Sequence, residues 1–213
     1  MPFCVGITGG IGSGKSCAAS MFGELGAGVV DTDAISHEIT GIGGSAMPAL
    51  IAAFGSDAVA VDGSLDRAVM RRLVFENPQA RKQLETILHP QIREHARSRA
   101  VQCAAPYVLL VVPLLLETGG YRDLIQRVLV VDCDESLQIS RTMQRSQISE
   151  AAVRAIMAAQ LPRQQRLSGA DDVINNDGDM TQLREQVATL HRRYLEMAKN
   201  AASRARNDRN EPH

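Results

Sequence analysis

Five short apolar runs punctuate the chain: residues 3–8 (FCVGIT), 27–31 (AGVVD), 107–112 (YVLLVV), 127–132 (RVLVVD) and 172–175 (DVIN). None alternates cleanly between apolar and polar positions, which predicts strands covered by helices on both faces, as in a parallel α/β sheet. Apolar residues at helical spacing fill the stretches between them, for example Met21, Phe22 and Leu25, or Leu183, Val187, Leu190, Tyr194 and Met197 along 180–203. The second and third runs lie about 75 residues apart, far more than one crossover helix needs, so a helical insertion is expected there.

Within that insertion Ser45 is placed to cap a helix through Phe54, with Pro48 in its first turn. Leu65, Val69 and Leu73 form one apolar stripe, and Asn77-Pro78 ends that helix and begins another, expected to kink near Pro90. A second insertion, 135–167, is rich in Arg and Gln and poor in large apolar residues, and reads as a mobile segment. The division that follows is a core of 1–34, 105–134 and 168–203, a first insertion at 35–104, a second insertion at 135–167 and a polar tail at 204–213.

The sequence holds 213 residues with 23 Lys+Arg against 24 Asp+Glu, a balance that argues against a protein built to coat nucleic acid or an anionic membrane. Aromatic residues make up 3%, with no Trp, so base-stacking platforms are not expected either. Only Lys15, Lys82 and Lys199 are lysines, which gives the basic residues a strong arginine bias; it suits bidentate phosphate recognition, and genomic base composition explains it equally well. Cys4, Cys17, Cys103 and Cys133 show no C-x-x-C pairing, so no zinc site or disulfide framework is expected, and no segment reads as a signal or membrane span. A cytoplasmic setting is the simplest reading.

One motif carries chemistry. Gly9-Gly10-Ile11-Gly12-Ser13-Gly14-Lys15-Ser16 matches G-x-x-x-x-G-K-[ST] directly after a strand and before a helix. Glycines let successive N–H groups turn toward a phosphate, and the helix N-terminus adds a favourable dipole. Lys15 supplies charge to the outer phosphates, while the Ser16 hydroxyl can ligate Mg²⁺. A nucleoside triphosphate is therefore the expected ligand, and kinases, GTPases and ATP-driven machines all remain possible classes. There is no guanine-reading N-K-x-D segment, and Asp132, after VLVV, is a candidate acid of an ATP-driven machine. Asp31 and Asp33 follow the second strand. Each could cap the next helix, or serve the site by accepting the proton of an attacking hydroxyl or by holding Mg²⁺ through water.

ITGGIGSGKS at 7–16, VVDTD at 29–33, LHPQIR at 88–93, VPLLLE at 112–117, RTMQR at 141–145 and ADDVINNDG at 170–178 together resemble the dephospho-CoA kinase family over nearly the whole chain. The resemblance implies a three-layer P-loop kinase core with a five-stranded parallel sheet, an acceptor-binding helical insertion and a helical lid. It implies transfer of the γ-phosphoryl of ATP to the ribose 3′-hydroxyl of dephospho-CoA, the last step of coenzyme A synthesis. On this pattern Asp33 is the general base, Lys15 the phosphate clamp and Ser16 the Mg²⁺ ligand. Gly10, Ile11, Gly12, Ser13, Gly14, Lys15, Ser16 and Cys17 cradle the ATP phosphates, and Asn176 and Gly178 lie by the adenine. Arg141 and Arg145 belong to the lid, with Arg141 acting on the transferring group. His89 and Arg93 approach the acceptor, and Glu117 is a candidate partner of the base or of a lid arginine. Leu116 and Asn175 depart from the Phe and Asp common in the family. Small-molecule substrates, no nucleic acid, no membrane and a monomer or weak homo-oligomer complete the expectation. The remaining histidines, His37, His95, His191 and His213, are expected at the surface. A nucleoside or nucleoside-monophosphate kinase and a non-kinase P-loop ATPase switch are the alternatives.

Overall fold

The computed structural model describes residues 1–207. It divides into two compact units, one formed by Met1–Val30 and Arg99–His213 and the other by Asp31–Ser98. The first is built on five strands: β1 (Cys4–Thr8), β2 (Gly28–Asp31), β3 (Val108–Val111), β4 (Arg127–Asp132) and β5 (Asp172–Asn175), in the order β2-β3-β1-β4-β5. β1 lies parallel to both β3 and β4, with Ile7 opposite Val111 and Leu129, and β4 lies parallel to β5. Each strand falls within, or one residue inside, its apolar run. The reason is burial: β1 and β3 have no exposed residue at all, so neither face tolerates a polar side chain.

Helices α1 (Lys15–Glu24) and α10 (Met180–Asn207) cover one face. Phe22 from α1 and Leu183, Val187 and Tyr194 from α10 join Val5, Ile7, Leu109, Leu129 and Ile174 of the sheet in one cluster. α10 runs four residues past the expected end. Few as the aromatic rings are, they concentrate here: Tyr194 stacks on Phe22 at 6.0 Å and meets Tyr107 edge-on at 5.7 Å. The Tyr107 hydroxyl lies 2.8 Å from Nδ1 of His191. His191 is thus a buried core residue, contrary to the surface position expected of it, because α10 turns that side chain inward one turn before Tyr194. His37 is exposed, His95 half-buried, and His213 lies outside the described residues. On the other face α6 (Leu115–Thr118) comes so close that a Cβ on Gly6 would stand 2.7 Å from Leu115.

β5 is tied down by charge. Asp172, buried, accepts from Arg127 Nε at 2.8 Å, Arg193 at 2.7 Å and the Tyr194 hydroxyl at 3.0 Å. The second insertion folds into α7 (Glu135–Ser146), α8 (Glu150–Ala158) and α9 (Arg163–Ser168), its apolar scarcity offset by side-chain caps from Asp134 and Ser149.

The second unit is helical: α2 (Thr32–Ile39), α3 (Met47–Phe54), α4 (Arg67–Glu76) and most of α5 (Pro78–Gln102). Asp31 caps α2 by accepting from the N–H groups of Asp33 and Ala34, and Asp66 caps α4 in the same way. Asn77 caps α5, with Pro78 at its first position, where the missing N–H is no loss. Two expectations need correction. Ser45 does not cap α3: its hydroxyl donates to Gln91 at 3.1 Å, and Ala46 holds the cap position without a side-chain bond. Leu65 lies before α4 in a bridge to Val59, and Met70 is the residue that α4 buries. α5 continues as one helix through Pro90.

Candidate active site

β1 ends at Thr8 and α1 begins at Lys15, so the glycine loop spans the C-terminal edge of the central strand, where parallel sheets open their ligand crevice. Gly12 (φ 72°) and Gly14 (φ 91°) hold backbone conformations that L side chains avoid. Close approach also demands glycine. A Cβ on Gly9 would collide with the Val131 carbonyl, one on Gly10 with the Gln138 side chain, and one on Gly14 with the Asn176 amide. One on Gly12 would stand 2.5 Å from both the Gln138 carbonyl and the Thr142 hydroxyl. The loop is therefore pressed from outside by α7 and by the segment after β5, leaving its N–H groups at the head of α1.

Lys15 is the first residue of α1 and Ser16 stands exposed beside it. The Cys17 side chain packs on the core, so its contribution to an anion would be its backbone N–H in the first turn. Asn176 links the parts. Its side chain donates to the Ser13 carbonyl at 2.8 Å, while its own carbonyl accepts from Arg141 at 3.0 Å. Ser13, Asn176 and Arg141, singled out separately in the sequence, are thus brought together in the first unit. Gly178 follows in the same loop, where a Cβ would collide with Gln182. Asn175 shapes that loop by accepting from the Asp177 N–H at 2.9 Å. Arg145 is exposed at the end of α7. Of the acceptor candidates in the second unit, Asp33 is exposed in the first turn of α2, and His89 and Arg93 lie one turn apart on α5.

Asp132, the candidate acid of an ATP-driven machine, is held in an ion pair. Arg163 grips both its oxygens, with Nε at 3.0 and 3.1 Å and a terminal nitrogen at 2.7 Å. That pairing holds the Arg163 guanidinium above its ordinary pKa. Sequence reasoning missed Gln138 and Thr142, whose i, i+4 spacing on α7 was the available signal, and Arg163, Gln160 and Arg166, for which no periodicity stood out. Among the described residues no group of three or more His, Cys, Asp or Glu could cage a metal. A Mg²⁺ held mainly by substrate phosphates requires no such cage, and the exposed Ser16 hydroxyl at the loop's end fits as its protein ligand.

A glycine loop between a buried parallel strand and a helix, followed by the lysine and faced by α7 carrying Arg141, defines a P-loop phosphotransferase. The family model for dephospho-CoA kinase matches residues 3–182. A protein of Dechloromonas aromatica named dephospho-CoA kinase is 58% identical over 196 residues, covering 92% of this chain and 95% of that one. A solved structure from Thermus thermophilus is 34% identical with a TM-score of 0.78, over 89% of this chain and 96% of that one. The dephospho-CoA kinase of Campylobacter jejuni, at 24% identity and a TM-score of 0.60 over 90% and 96%, shares the fold. The chain belongs to the dephospho-CoA kinase family.

Proposed function

We propose that this enzyme transfers the γ-phosphoryl group of ATP to the ribose 3′-hydroxyl of dephospho-CoA, giving coenzyme A and ADP. The observation that carries this reading is the match to one kinase family across almost the entire chain, including the phosphate loop. In the transfer, a bond forms between the 3′-oxygen and the γ-phosphorus, and the bond from that phosphorus to the β,γ-bridging oxygen breaks. Asp33 takes the proton of the attacking hydroxyl. The Lys15 ammonium and the N–H groups of Gly12 to Cys17 hold the phosphates in line, and Arg141, steadied by the Asn176 carbonyl, offsets charge on the transferring group.

Ser16 would hold Mg²⁺, which neutralises phosphate charge when bound. Gly10 and Ile11 complete the cradle, Asn176 and Gly178 border the adenine, Arg145 reaches the phosphates from the lid, and His89 and Arg93 engage the acceptor. No described helix is long and apolar enough to cross a membrane. The proposed setting is the cytoplasm, with the enzyme acting as a monomer or weak homo-oligomer.

The test is ADP release with ATP·Mg²⁺ and a panel of acceptors. Turnover is expected with dephospho-CoA and not with AMP, CMP or nucleosides. Robust turnover only with the nucleotides would replace this reading with a nucleotide kinase, and hydrolysis indifferent to acceptor would replace it with an ATPase switch.

A further inference from the structure

The phosphate loop contains four glycines in six residues, so ordering it costs more backbone entropy than an ordinary turn. Side-chain hydrogen bonds brace it on both flanks, beside a long contact from the Cys133 thiol to the Gly12 carbonyl. On one flank Asn176 holds the Ser13 carbonyl. On the other, the Ile11 N–H donates to Gln160 Oε1 at 3.1 Å. Gln160 comes from the turn between α8 and α9, about 150 residues further along the chain, and a long side chain at a turn orders nothing unless its own backbone is fixed.

That backbone is fixed at the next residue, from both sides. The Leu161 N–H donates to Glu117 Oε1 at 3.1 Å, and the Leu161 carbonyl accepts from the Arg166 guanidinium. Arg166 is itself buried at 6% exposure, with its other terminal nitrogen 2.9 Å from the place a Cβ on Gly10 would take. The other Glu117 oxygen, Oε2, is buried with no hydrogen-bond partner. Burying a carboxylate with one oxygen unmatched is unfavourable, which points to a purpose for the oxygen that is matched.

We propose that Glu117 and Gln160 act in series as a latch that orients the phosphate loop for ATP: Glu117 fixes the Leu161 peptide, and Gln160, so anchored, holds the Ile11 N–H. Both are positioning residues, and neither belongs to the G-x-x-x-x-G-K-[ST] motif. The proposal rests on the reading of that loop as the ATP site. A loop already shaped before ATP arrives binds more tightly, because less ordering remains to be done on binding.

The experiment measures ATP·Mg²⁺ affinity by calorimetry, together with kcat and the KM for each substrate, in the full-length protein. Gln160→Met, similar in size but lacking the acceptor, should weaken ATP binding about tenfold, the order expected when one amide loses its partner. The KM for dephospho-CoA should stay within about twofold, which a general loss of packing would not respect. Glu117→Met, two hydrogen bonds away from the loop, should reproduce that selective loss, and Glu117→Gln, which keeps an acceptor oxygen, should recover most of it. The double Met variant should be no worse than the weaker-binding single variant, since both break one chain of contacts. Should a Met variant melt below the assay temperature, Gln160→Ala, which removes the acceptor without asking the turn to hold a longer apolar chain, should weaken ATP selectively in its place. Unchanged ATP affinity in Gln160→Met, Glu117→Met or Gln160→Ala overturns the latch, as does additivity in the double variant. A wild-type protein that binds ATP but phosphorylates another acceptor would refute the proposed function and leave these affinity ratios as the test of the latch.

Discussion

Gly12 occupies a variable position of the phosphate-loop motif, so the motif by itself tolerates alanine there. The structure forbids it twice. At φ 72° an L side chain costs roughly 1–2 kcal/mol. The new Cβ would also stand 2.5 Å from the Gln138 carbonyl and from the Thr142 hydroxyl, where ordinary contact begins at 3.4 Å. Relief requires the loop and α7 to separate by about 1 Å, and a misplacement of that size in a phosphoryl-transfer site costs on the order of 100-fold in rate. Overpacking adds roughly 1–3 kcal/mol to the backbone cost. At about 2–4 °C per kcal/mol for a chain of this length, Gly12→Ala should melt some 5–15 °C lower. The assay pairs thermal unfolding with dephospho-CoA-dependent ADP release. A variant whose kcat/KM stays within about threefold of wild type, with Tm shifted by less than about 2 °C, would refute the claim that α7 bears directly on the loop.

From the phosphate-clamp role proposed for its ammonium, Lys15→Ala should lose about 10²–10³-fold in kcat; stopped-time ADP measurement at saturating ATP checks this. Asp33→Asn should reduce kcat steeply with ATP affinity, read by calorimetry, nearly unchanged, and equal kcat would remove it as the base. Burial lowers the His191 pKa below 6.5, so the unfolded chain binds a proton more readily. Stability from this residue is full above pH 6.5 and declines as pH falls through the window below it; Tm at pH 7.5 and 5.5 should show the decline, and His191→Gln should flatten it. Burial raises the Asp172 pKa, but Arg127 and Tyr194 hydrogen bonds and the nearby arginines outweigh it and leave the carboxyl below 3.8. Asp172→Ala strands those donors and should lower Tm by about 5–12 °C, from roughly 2–4 kcal/mol once the half-exposed Arg193 is discounted.

The five strands were legible because a strand buried on both faces must be apolar throughout, and such runs stand out in any sequence. The phosphate loop was legible because its glycines, lysine and serine act locally, within eight residues, between one strand and one helix. Its resemblance to one kinase family then extended the reading to segments whose chemistry no local pattern discloses. What lay beyond reach were contacts set by topology. Placing β4 and β5 side by side sets Asp172 beside Arg127, and α9 packed on β4 brings Arg163 to Asp132, so a candidate acid of an ATP-driven machine becomes half of an ion pair. His191 looked like a surface residue because no other candidate ligand clusters with it in sequence, and only the packing of α10 on Tyr107 decided that it points inward. Gln160 had no signal, since an amide becomes a loop brace only when the turn between α8 and α9, about 150 residues away in sequence, returns to Ile11. Sequence determines what a segment can do within a turn or two of itself; the partner of a side chain is decided by which elements the sheet order brings alongside it.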